Sequence, residues 1–131
     1  MARKIALDSG ALIALSRGNE NARAILERWT RAGVETVLPC PVLAETLRGK
    51  PADAAVHRII NSRLSAITVL PVLEDAARDA GVRIGQSARK HATVGAMIVA
   101  VAVGYGAREI ITSDPEDIAA LGGTDLSIIA L

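Results

Sequence analysis

The sequence predicts an α/β fold with a mostly parallel sheet covered on both faces. Two observations carry that expectation. Short apolar runs alternate with segments of helical spacing along the whole chain, and half of the residues are apolar while 22% are charged. Parallel strands need crossover helices, which the alternation supplies. At 131 residues, the chain has the length of one compact domain that buries a continuous core without staples, so a single domain over 1–131 is expected.

The first strand is read at Lys4 to Leu7, an apolar run ending at Asp8-Ser9-Gly10. Gly10 to Ser16 is a helix rich in alanine and leucine. Asn19 caps a second helix that runs to Arg31 and carries Ala22, Ile25, Leu26 and Trp29 at helical spacing. Glu35 to Leu38 is the next strand. The Pro39-Cys40-Pro41 break leads into a helix with Val42, Leu43 and Glu45 near its start, expected to stop near Gly49. Pro51 opens a helix to about Asn61, Ile67 to Leu70 is a strand, and Val72 to Ile84 returns to helical spacing. Ala92 to Val103 is an apolar helix, Glu109 to Thr112 a strand, Pro115 to Leu121 a helix, and Leu126 to Ile129 the last strand.

Bulk charge discriminates little. The formal net charge is +1, so any nucleic-acid contact must rely on a local basic surface. The lone Cys40 suits a reducing compartment, and the cytoplasm is expected; between two prolines it is read as buried packing. Met1 to Leu7 resembles the start of a secretory leader, but Asp8 interrupts the apolar run and no small-residue cleavage site follows. Ala92 to Val103 is shorter than the roughly 20 residues of a spanning helix. It is read as a core helix, and no membrane partner is expected.

In open α/β sheets, ligands bind in the crevice beyond the carboxyl ends of the strands, which directs attention to the acids placed there. Asp8 follows Ile5-Ala6-Leu7, and Asp114 follows Ile110-Ile111-Thr112-Ser113. Glu45 arises from a helix, among Val42, Leu43 and Leu47, where an amphipathic helix faces the sheet. Acids crowded together repel one another unless a cation compensates, and Mg2+ or Mn2+ is the natural oxygen-seeking candidate. The chemistry is then metal-assisted hydrolysis of a phosphodiester. Each acid also has a structural reading: Asp8 and Asp114 as helix caps, the latter with Pro115 at the first helical position, and Glu45 as an i,i+3 partner of Arg48.

Taken together, Leu7-Asp8-Ser9-Gly10-Ala11-Leu12-Ile13-Ala14, Val42-Leu43-Ala44-Glu45 and Ile111-Thr112-Ser113-Asp114 resemble the PIN-domain family, especially its VapC toxins. The likeness runs over nearly the full chain. It implies an α/β/α sandwich with a five-stranded, mainly parallel sheet, and metal-dependent endoribonuclease activity on RNA. It also implies a small VapB-type antitoxin as partner and a homodimer. By the same resemblance Asp8, Glu45 and Asp114 are catalytic, and these three with Asp117 are the metal ligands.

One position departs from the family pattern. An aspartate usually opens the long apolar helix, but this segment reads Thr93-Val94-Gly95-Ala96-Met97-Ile98-Val99-Ala100, with glycine at the aligned position. One fewer negative ligand weakens metal affinity, which keeps a catalytically inactive binding module as the alternative function. Upstream, Arg83, Arg89, Lys90 and His91 either bring positive charge to RNA phosphates or form a solvated loop. Trp29 and Tyr105 are the only aromatic residues, too few for a base-stacking platform, and His57 and His91 are read as surface residues. A phosphoacceptor receiver domain fits poorly, because Asp8 stands alone and residues 126–131 contain no lysine.

Overall fold

The structure is a computed structural model that describes residues 3–62, 66–87, 89 and 91–131. Met1 and Ala2 of the leader-like opening, and Lys90 of the basic cluster, lie outside the described residues. The elements run β1 (Lys4–Leu7), α1 (Ser9–Ser16), α2 (Glu20–Arg31), β2 (Glu35–Pro39), α3 (Pro41–Thr46), α4 (Asp53–Asn61), β3 (Ile67–Leu70), α5 (Glu74–Ser87), α6 (Thr93–Gly104), β4 (Glu109–Thr112), α7 (Pro115–Gly122) and β5 (Ser127–Ala130).

All strand pairs are parallel, in the order β3-β2-β1-β4-β5. The expected mainly parallel sheet is thus wholly parallel. Central β1 is flanked in register by β2 and β4, with Ala6 opposite both Val37 and Ile110. Ile5, Ala6 and Leu7 have no exposed surface, as a strand covered on both faces requires. Helix α1 packs with α2, α3 and α4, while α5, α6 and α7 pack on one another. In α6, Ala96, Ile98, Val99, Ala100, Val101 and Ala102 are all buried, so this apolar segment is a core helix as read. Among the described residues no helix is long and apolar enough to cross a membrane.

The chain builds outward from β1 to β3, then returns to the other side of β1 for β4 and β5. Strand order therefore reverses between β1 and β4, and the crevice at their carboxyl ends is the place where such sheets bind ligands. Asp8 and Asp114 leave the sheet there.

Several element ends differ from the sequence reading. Helix α3 stops at Thr46, not Gly49, because the Asp53 carboxylate takes the backbone N–H groups of Arg48, Gly49 and Lys50 at 3.0, 2.7 and 3.3 Å. Asp53, not Pro51, then opens α4. Helix α5 starts at Glu74 and continues to Ser87, reinforced by i,i+4 ion pairs from Glu74 to Arg78 and from Asp79 to Arg83. Asn19 caps α2 as expected, accepting from the Ala22 N–H at 2.9 Å. Cys40 is half-buried, not buried.

Candidate active site

Asp8 is 6% exposed and serves two purposes at once. As the N-cap of α1, its Oδ1 accepts from the Ala11 N–H at 2.9 Å, while its Oδ2 accepts from the Thr112 hydroxyl at the end of β4. The same Thr112 oxygen accepts from the Asp114 N–H at 2.8 Å. A single threonine thus ties the carboxyl ends of β1 and β4 together. Burial raises the Asp8 pKa above the ordinary aspartate value, opposed by the bonds from Thr112 and Ala11 and reinforced by the charges of Asp114 and Glu45.

Glu45 is exposed on α3 and accepts from the Ser9 hydroxyl at 2.5 Å, across the mouth of the crevice. The expected pair with Arg48 does not form. The Arg48 guanidinium donates to the carbonyls of Ala44 and Leu47 instead, at 3.0 and 2.8 Å. Asp114 occupies the N-cap position of α7 but makes no side-chain cap bond, leaving its carboxylate to the cleft. A hydrogen bond with Asp114, together with that residue's charge, raises the Asp117 pKa, and Arg89 opposes the shift through an ion pair of 2.8 Å.

Asp8, Glu45, Asp114 and Asp117 all line one cleft of about 390 Å³, with Gly95, His91 and an apolar wall of Ile98, Ile118 and Leu121. All four acids picked out in the sequence therefore meet in one place. Among the described residues, no group of three His, Cys, Asp or Glu side chains is arranged to hold a metal ion. Asp8 and Glu45 each accept from hydroxyl or amide donors. The donor set nevertheless suits a hard divalent cation: every candidate is a carboxylate, and magnesium needs only one or two of them beside water and phosphate.

A family profile described as PIN domain matches residues 5–123. The chain belongs to the PIN domain family. This PIN domain is also similar to a chain of VapBC2 from Rickettsia felis bound to a DNA fragment from their promoter. The TM-score is 0.75 and the identity 10%, covering 97% of this chain and 98% of that one. A toxin-antitoxin complex from Klebsiella pneumoniae gives a TM-score of 0.74 at 21% identity, covering 96% of both chains. DNA-bound VapBC from Salmonella typhimurium gives 0.71 at 20% identity, covering 99% of this chain and 98% of that one. At these identities the likeness is one of fold. No curated protein sequence matches the chain significantly.

In this PIN domain, Gly95 sits on the cleft wall, where an added Cβ would lie 3.2 Å from Leu121 Cδ1. The basic cluster divides. Arg83 does not face the cleft as a free cation: its side chain is 10% exposed and bonds Asp79, Asp125 and the Leu121 carbonyl at 2.8, 2.9 and 3.0 Å, pinning α5 to the end of α7. Arg89 and exposed His91 do stand at the rim.

Ser9, Gly10 and Thr112 were not picked out as site residues. Their signals were faint but present: a hydroxyl directly after Asp8, a glycine in the first turn of a helix, and a threonine two residues before Asp114. A Cβ at Gly10 would fall 1.7 Å from Ser113 Oγ, so the β4–α7 loop reaches α1 only because no side chain stands there.

Proposed function

We propose that this PIN domain is a metal-dependent endoribonuclease that hydrolyses RNA phosphodiester bonds, acting in the cytoplasm as the toxin of a type II, VapBC-like toxin-antitoxin pair. Asp8, Glu45 and Asp114 are its catalytic residues, and these three with Asp117 hold Mg2+ or Mn2+. The observation that carries this reading is that acids from three separate elements line one crevice, where burial first, and the charges of Asp114 and Glu45 to a lesser degree, raise the pKa of Asp8. Such crowding is offset by a dication. When bound, that ion supplies an activated water and neutralises charge on the phosphate and the leaving oxygen.

The chain's own groups hold the geometry. Thr112 and Ala11 fix both oxygens of Asp8, Ser9 aims Glu45 across the cleft, and Ile98, Ile118 and Leu121 keep one wall apolar. A small VapB-type antitoxin is the proposed partner, supported by the toxin-antitoxin assemblies that share the fold, and a homodimer is proposed on the family resemblance alone. Purified protein should cut labelled RNA with Mg2+ or Mn2+, stop in EDTA, and lose cleavage in Asp8→Asn. Cleavage without metal would overturn the mechanism.

Gly95 favours a second reading, an inactive PIN-fold module that binds antitoxin or RNA. Only the flexible tip of Leu121 opposes a side chain at position 95, so Gly95→Asp is accommodated by a small shift. A gain of cleavage of roughly 10- to 100-fold, the size of a typical ligand-shell effect, supports lost catalysis. Unchanged activity means that the existing acids suffice.

A further inference from the structure

We propose that the cleft on the far side of Glu45 is a second RNA subsite, gripping the backbone phosphate of a nucleotide that flanks the scissile bond. The inference rests on the ribonuclease reading and adds where the strand runs. Glu45 lines two clefts: the acidic one, and another of about 420 Å³ between the end of α1, the α3–α4 loop and α4. An endonuclease cuts inside a strand, so the strand must both enter and leave its acidic centre. Arg89 and His91 stand on one side of that centre. The second cleft adjoins that centre through Glu45, which lines both.

Its lining suits a sugar-phosphate unit. Arg17 and Arg48 supply positive charge, and Ile13 and Val56 supply an apolar floor, Val56 being 5% exposed. Pockets of this size take a nucleotide-scale ligand. Among the described residues Arg17 and Arg48 make no ion pair, a condition they share with Arg23, Arg28, Arg31, Arg58 and Arg108, but they are the two that line this cleft beside Glu45. Arg48 is nonetheless held in place, because two carbonyls at the end of α3 orient its guanidinium. The acids of this cleft, Glu45 and Asp53, match the two arginines in formal charge, but Glu45 is engaged by Ser9 and Asp53 by three loop amides, so among the described residues neither forms an ion pair with Arg17 or Arg48. With no aromatic ring in the lining, the grip acts on phosphate and shape and tolerates sequence.

The test measures binding of a short labelled single-stranded RNA to the full chain in EDTA, so that the strand stays intact. Arg17→Glu should weaken binding roughly tenfold and flatten the dependence of log K on log salt by about 0.7 for the lost phosphate contact. Ala52→Glu, which places a carboxylate on the exposed rim of the same cleft, should act alike, while Arg108→Ala at the opposite end of the sheet should change neither quantity. With Mg2+ present, Arg17→Glu should raise KM and leave kcat within about twofold. Wild-type binding by both cleft variants, or an equal loss in Arg108→Ala, would overturn the subsite. Arg17-dependent binding without metal-dependent cleavage sinks the ribonuclease reading alone, and cleavage indifferent to Arg17 sinks the subsite alone.

Discussion

Gly10 and Ser113 approach so closely that a single methyl on Gly10 would lie 1.7 Å from Ser113 Oγ and 2.9 Å from Ser113 Cβ. This contact sets how near the start of α1 comes to the loop carrying Asp114. Gly10→Ala must push the two apart, at a cost of about 1–3 kcal/mol from overpacking. Urea denaturation should show that loss. Adding Ser113→Gly, which removes both clashing atoms, should restore most of it, and a double variant as unstable as the single one would refute the steric account.

Thr112 is predicted to matter as much as the acids it joins. Thr112→Val keeps the shape but leaves a buried Asp8 oxygen and the Asp114 N–H without their partner. The expected cost is about 1–3 kcal/mol. The Asp8 pKa should rise further, because the lost bond is one that lowers it. Carbon-detected titration of the Asp8 carboxyl reads the shift, and Thr112→Ser should return both quantities toward wild type.

The raised Asp8 pKa fixes the sign of a pH effect in metal-free buffer. The folded protein binds this proton more tightly than the unfolded chain, whose aspartate titrates at about 3.9. The contribution of Asp8 to stability is therefore fully present below that value and lost as pH rises through the folded pKa. Asp8→Asn should be more stable than wild type at neutral pH, and its advantage should shrink on acidification. Thermal melts across pH 4 to pH 8, about the span of interest, check this; an advantage independent of pH would contradict it.

Arg83 is expected to be a structural residue. Arg83→Met removes its bonds to Asp79, Asp125 and the Leu121 carbonyl, and should cost about 1.5–3 kcal/mol. RNA affinity of the folded variant should be unchanged. A selective loss of affinity at full stability would return Arg83 to the RNA-facing role that its sequence neighbourhood suggested.

The order of elements was readable because its signals are local, and Asp8 and Asp114 stood out in the same way, whereas Glu45 and Asp117 gained their place only from the motifs taken together. A buried parallel strand is an unbroken apolar run, and Asp8 and Asp114 stand where two such runs end. Helix ends were less readable. Asp53, seven residues beyond Thr46, decides where α3 stops by taking the loop amides, and no periodicity in 41–49 records that competition.

Sequence alone determined the alternating plan, the apolar character of α6 and the identity of the acids, all properties of residues and their near neighbours. Tertiary structure decided that β1 lies between β2 and β4, that Thr112 reaches Asp8, that Glu45 turns to Ser9 and not Arg48, and that Arg83 is pinned to α7 while Arg89 reaches Asp117. The reason is directional. Backbone patterns follow from hydrophobic spacing along the chain, whereas the aim of each polar side chain depends on which distant donor the packed sheet brings within about 3 Å of it.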